Sequence, residues 1–160
     1  MRIFEVEWSS EGRLAVVSRP SPESAPREMA TLRAAGFDEL VSLLSGPEAA
    51  ELGLRNEREA AEAAGLTFTW HPTHDFSTPE GQCFRDGLFE LHDRLRAGAA
   101  IAAHCRGSVG RAPLLVASLL VLDGAHWEDA WRRVGLARGV PVPDTDAQRQ
   151  WIRSLPARSR

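Results

Sequence analysis

A chain of 160 residues, 43% hydrophobic and 26% charged, has the length and apolar content for one domain with a sizeable core. It has no apolar run that spans a bilayer, no secretory leader in Met1-Arg2-Ile3-Phe4-Glu5, and too few cysteines for a disulfide framework, so a cytoplasmic protein is expected. A net charge of −3 without basic runs or aromatic-basic interleaving argues against a nucleic-acid binder.

Residues 1–18 hold two short strands. Met1 to Trp8 nearly alternates apolar and acidic residues, Leu14 to Val17 is a second apolar run, and together they predict a hairpin. A Pro/Ser loop follows, then a helical pattern from Arg27 to Ala35 stopped by Gly36. Asp38 to Leu44 reads as a buried strand, Glu48–Leu52 and Asn56–Ala64 as two short helices, and Leu66 to Trp70 as the next strand. Strands alternating with helices through residues 38–104 predict a mainly parallel sheet flanked by helices. Ligands bind such sheets at the carboxyl ends of the strands, where Trp70 and His104 stand.

Beyond Trp70 lies the proline-bounded loop His71 to Pro79 with a single carboxylate, Asp75, the candidate general acid; Glu80 is the other carboxylate in reach. Thr78 as N-cap and Pro79 at the first position predict a helix to Arg96, its core stripe being Phe84, Leu88, Leu91 and Leu95.

Residues 101–122 then read as strand, tight loop and helix. Cys105 and Arg111 bracket Arg106-Gly107-Ser108-Val109-Gly110, a Cx5R spacing. Gly107 and Gly110 permit positive φ, so successive N–H groups can form a concave nest for an anion, and the next helix points its N-terminus at the same spot. Pro113 sits in the first turn, where its missing N–H costs little. A thiol at a helix N-terminus beside Arg and His ionises readily, and an arginine fork holds two phosphate oxygens at once. Cys105 is therefore the candidate nucleophile, Arg111 the clamp, and residues 106–110 the phosphate-binding loop.

His104-Cys105-x5-Arg111 resembles the signature of the cysteine-dependent protein tyrosine and dual-specificity phosphatases. In that family a Pro-rich loop carrying the acid lies about thirty residues before the cysteine, as Asp75 does here. The family pattern places Ser or Thr after the arginine; this chain has Ala112, as in the phosphatases of regenerating liver, a prenylated subgroup. The end Ala157-Arg158-Ser159-Arg160 offers no cysteine for such an anchor, so none is expected. Arg138-Gly139, Pro143-Asp144-Thr145, Gln148 and Trp151 resemble the C-terminal end of bacterial relatives similar to kinase-associated phosphatase.

The resemblance implies a single α/β phosphatase domain over residues 1–160, with a central twisted sheet. It implies hydrolysis of phosphate monoesters, of phosphotyrosine and also of phosphoserine or phosphothreonine, through a phosphocysteine. The family's hydroxyl helps the thiolate leave, so Ala112 implies a slow second step. A phospho-binding module of low turnover and a phosphatase for phosphoinositides or other non-protein phosphates are the alternatives.

His104 is expected to orient the loop and tune the thiolate. His71, His74, His104 and Cys105 lack the spacing of a structural zinc site, so neither metal nor cofactor is expected. The partner is a phosphorylated protein or a small phosphate ester. Cys83 is read as a packed, inert thiol, with a reversible disulfide to Cys105 as the alternative. Trp127 and Trp131 are read as packing, and base rates make Gln148 an exposed helix residue, its alternative being a water-orienting group near the pocket. All nineteen basic residues are arginine, which with the abundant Ala, Gly and Leu suggests a GC-rich bacterial genome. Residues 1–80 carry −7 and residues 81–160 carry +4, so the half with the loop is the positive one.

Overall fold

In the computed structural model, which describes residues 1–157, the sheet consists of β1 (Ile3–Val6), β2 (Arg13–Val17), β3 (Glu39–Ser42), β4 (Thr67–Trp70) and β5 (Ala100–His104). Their order is β1-β2-β5-β3-β4, parallel throughout except for the hairpin of β1 on β2. Residues 158–160, where no prenylation site is expected, lie outside the described residues.

Alternation in the central strands explains why both faces are covered. Leu14, Val16, Ile101 and Ala103 face one core, and Ala15, Val17, Ala100 and Ala102 face the other. On the second face lie α1 (Ala25–Ala34) and α3 (Glu57–Ala63), through Met29, Leu32 and Ala61. The first face is covered by α4 (Gly81–Arg96), α5 (Arg111–Leu122) and α6 (Trp127–Arg138). Phe84, Leu88, Leu91 and Leu95 form the buried stripe of α4 as the spacing predicts. Every residue of α5 is buried, and each Leu or Val in it contributes about 1.5–3 kcal/mol by leaving water. That burial fixes the helix whose N-terminus faces the loop. Two short helices, α2 (Gly46–Glu51) and α7 (Asp146–Trp151), and a 3-10 turn at Ile152–Ser154 complete the described residues. Trp131 is buried, with its indole N–H donating to the Arg149 carbonyl at 3.2 Å, in keeping with a packing role.

Two expectations are corrected. The fourth helix starts at Gly81 with Glu80 as N-cap, so Thr78 and Pro79 belong to the preceding loop. Gly81 has φ +81°, which stops the helix from running back, and the Ser77 carbonyl is held elsewhere by Gln148. Cys83 is exposed rather than packed, because the apolar stripe of α4 begins at its neighbour Phe84 and turns Cys83 to solvent.

Among the described residues no helix is long and apolar enough to cross a membrane.

Candidate active site

All four parallel strands end at one edge, and there the phosphate-loop candidate and the Asp75 loop converge on Arg111. Its side chain is 1% exposed and carries a dense set of partners. Nη1 and Nη2 make a bidentate pair with Glu48 at 2.8 and 2.9 Å, and Nη1 also donates to the Thr73 carbonyl at 2.8 Å. Asp75 Oδ1 lies 3.0 Å from Nη2. Nε is buried with no hydrogen-bond partner. Glu48 thus fixes the Nη1/Nη2 edge of the guanidinium, Nη2 also meets Asp75, and Nε alone has no partner among the described residues.

Burial opposes the charge on Arg111, yet Glu48, Cys105 and Asp75 together hold its proton more firmly than usual. For Glu48 burial works the other way, but Arg111 and Ser45 outweigh it and lower the carboxyl to about 2. Glu48 was not singled out in the sequence, although a local signal marks it. Ser45-x-x-Glu48 is a capping box, in which the Glu48 side chain accepts from Ser45 N–H while Ser45 Oγ accepts from Glu48 N–H. The cap of α2 therefore aims the carboxylate that steadies Arg111.

Cys105 is buried, at 2% exposure, and its N–H lies 3.4 Å from Ser108 Oγ. The left-handed residue of the loop is Ser108, at φ +54°, and neither Gly107 nor Gly110 has positive φ as expected. Ser108 is held there because its hydroxyl donates to the Val17 carbonyl at 2.7 Å and its own carbonyl accepts from Arg138 Nε at 2.7 Å. Gly110 is needed for space instead: a Cβ there would stand 2.2 Å from Asp144 Oδ2 and 3.0 Å from Gln148 Nε2.

Gln148 is therefore buried beside the loop, not exposed. It closes a second capping box with Thr145, and its Nε2 donates to the Ser77 carbonyl at 3.1 Å, tying α7 to the Asp75 loop. Asp144, unremarked as a catalytic candidate in the sequence, sits on the same rim. Burial, and then the negative charge of Asp75, push its carboxyl up. Arg106, the remaining cation of the loop, points outward and pairs with Glu51 at 2.9 Å.

His104 is fully buried, with Nδ1 3.2 Å from the Cys105 carbonyl oxygen and Nε2 2.5 Å from Glu57 Oε1. Glu57 had no local signal: it joins His104 only through the placement of α3. His74 is exposed in the Asp75 loop. No group of three His, Cys, Asp or Glu among the described residues is arranged to hold a metal ion.

Comparison with known proteins bears on this arrangement. The family profile described as "Tc-R-P: Polymorphic toxin system, DSP-PTPase phosphatase" matches residues 17–125, from the end of β2 through α5. The chain belongs to this DSP-PTPase family. The match takes in the Asp75 loop and the whole of His104 to Arg111. A protein tyrosine phosphatase type IVA 3 from Bos taurus is 34% identical over 76 residues, covering 46% of this chain and 44% of that one. The chain thus spans about half the length of the curated relatives it matches. Among solved structures, kinase-associated phosphatase shares the fold with a TM-score of 0.82 over 94% of this chain and 91% of that one, at 18% identity. A TpbA from P. aeruginosa, solved with phosphotyrosine, has a TM-score of 0.58 over 89% and 79% of the two chains, at 16% identity. These likenesses support the single α/β domain with a mixed, mainly parallel sheet expected from the sequence.

Proposed function

We propose that this protein is a cysteine-dependent phosphatase for phosphate monoesters, with phosphotyrosine among its substrates. The observation that carries this reading is the Nε/Nη2 edge of Arg111. Nε–H has no partner among the described residues, Nη2 meets Asp75, and Cys105 is close enough to favour the charge on Arg111. A phosphate gripped by this edge displaces Asp75, freeing the carboxyl to face the ester oxygen.

In the proposed cycle Cys105 Sγ attacks phosphorus in line. The S–P bond forms, the P–O bond to the leaving group breaks, and protonated Asp75 gives its proton to the departing oxygen. The amides of residues 106–110 and Arg111 hold the three equatorial oxygens. Water then attacks phosphorus, the S–P bond breaks, and the proton of the water goes to Asp75, which restores thiolate and acid. Phe76, 64% exposed beside Asp75, offers an apolar surface for a phenyl ring. Ala112, buried in the first turn of α5, puts a methyl where the family carries a hydroxyl, which supports a slow second step. His104 orients the loop through the Cys105 carbonyl.

Steady-state hydrolysis of a series of aryl phosphates tests this assignment. Cys105→Ser should abolish activity, and Asp75→Asn should slow esters of poor leaving groups by about 10²–10⁴-fold while sparing good ones. Equal losses across the series would remove Asp75 as the acid. Absence of turnover together with tight phosphate binding would make the protein a phospho-binding module.

A further inference from the structure

A cavity of about 330 Å³ opens between the edge strand β4 and helices α2 and α3, and none of the proposed chemistry uses it. Phe68 and Trp70 give it an aromatic wall. The Trp70 indole is pinned by its N–H donating to the Leu44 carbonyl at 2.7 Å, so its ring is set in place without a ligand. Buried at one end are Ser42, at 1% exposure, and Glu57, at 4%. Among the described residues Ser42 Oγ has no hydrogen-bond partner, and Glu57 Oε1 has none beyond its 2.5 Å approach to His104 Nε2. At the mouth stand the exposed Arg55 and Arg58. Arg58 lies over the Phe68 ring at 5.0 Å, donates to the Phe68 carbonyl at 3.3 Å and pairs with Glu62 at 3.5 Å, whereas Arg55 makes no ion pair among the described residues.

The cavity is therefore lined by a buried hydroxyl without a partner, a buried carboxylate whose neighbour is His104, two aromatic faces and two exposed arginines. A ligand that satisfies all of these has an N–H donor, a flat ring system and an acid group. The volume suits a bicyclic ring.

We propose that this cavity is a binding site for a bicyclic aromatic acid carrying a ring N–H, and that its occupant acts on Cys105 through Glu57 and His104. The N–H donates to Ser42 Oγ and the Glu57 carboxylate, the ring lies against Trp70 and Phe68, and the acid meets Arg55 and Arg58. A donor at Glu57 competes with His104 for the same carboxylate, and His104 meets the Cys105 carbonyl through its other nitrogen. The binding site stands apart from the phosphatase reading; only its effect on rate rests on that reading.

Indole-3-carboxylate is the probe, titrated calorimetrically into the full chain with saturating inorganic phosphate present to occupy the Arg111 loop. Saturable binding to one site is expected, unchanged by Cys105→Ser. It should weaken by about tenfold with 1-naphthoate, which keeps ring and acid but leaves the buried acceptors unpaired. Arg55→Ala with Arg58→Ala, both exposed, should weaken it by about tenfold as well, and Trp70→Ala more. No saturable binding, or equal binding in the arginine variant, overturns the site. For the coupling, saturating probe should move the pH–rate profile of aryl phosphate hydrolysis in the wild type and leave that of Glu57→Gln in place. Binding with an unmoved wild-type profile refutes the coupling.

Discussion

Glu48→Gln separates the support of Arg111 from the chemistry. The side chain keeps its size, and the charge that faces the guanidinium bidentately at 2.8 and 2.9 Å is lost. Arg111 is buried, so it is left with Asp75 as its remaining carboxylate neighbour. The magnitude follows from the Glu48 carboxyl, which the fold lowers from 4.5 to about 2. At about 1.4 kcal/mol per unit this is about 3 kcal/mol of stability at neutral pH. The group is a depressed carboxylate, so its contribution is complete above pH 4.5 and lost as pH falls towards 2. About 2 kcal/mol of it should be gone by pH 3. Urea unfolding of wild type and variant at pH 7 and pH 3 measures the gap. A gap of about 3 kcal/mol at pH 7 that shrinks by more than half at pH 3 is expected. A gap that is absent, or the same at both pH values, refutes the argument that Arg111 and the Ser45 cap together hold Glu48 as a carboxylate.

Gly110→Ala drives a methyl into Asp144 and Gln148, so phosphate affinity should fall sharply while the α5 core stays intact, as calorimetry with inorganic phosphate and circular dichroism would show. Ser108→Ala strips the Val17 carbonyl of its donor and leaves a non-glycine residue at φ +54°; it should cost about 1–3 kcal/mol in thermal or urea unfolding and lower activity too. Ala112→Ser should raise steady-state turnover without raising the rate of the first step, read by rapid mixing with an aryl phosphate. A wild type whose hydrolysis already keeps pace with attack would contradict the role given to Ala112.

What the sequence made legible was local. The strand, loop and helix over residues 101–122 declare themselves through apolar runs around a glycine-containing loop, and the α4 stripe through its spacing. The two capping boxes, Ser45 to Glu48 and Thr145 to Gln148, are equally local, and reading them would have pointed to both side chains that brace the site. Gln148 instead looked like a solvated helix residue because composition says nothing about which helix end abuts the loop. Glu57 on His104 and Asp144 over Gly110 are separated from their partners by 47 and 34 positions, and only the packed sheet edge brings them together. The glycines misled for a related reason. Their conformational freedom suggests positive φ at Gly107 and Gly110, but hydrogen bonds to the distant Val17 carbonyl and from the distant Arg138 fix that conformation at Ser108.

The central claim is that phosphorus passes through Cys105. Rapid acid quench of the protein with an aryl phosphate, followed by intact-mass and peptide analysis, tests it directly. One phosphoryl group on the peptide holding Cys105, absent from Cys105→Ser and less abundant in Ala112→Ser, is the expected result. Aryl phosphate hydrolysis that persists in Cys105→Ser, or a phosphoryl group on any other residue, would contradict the account.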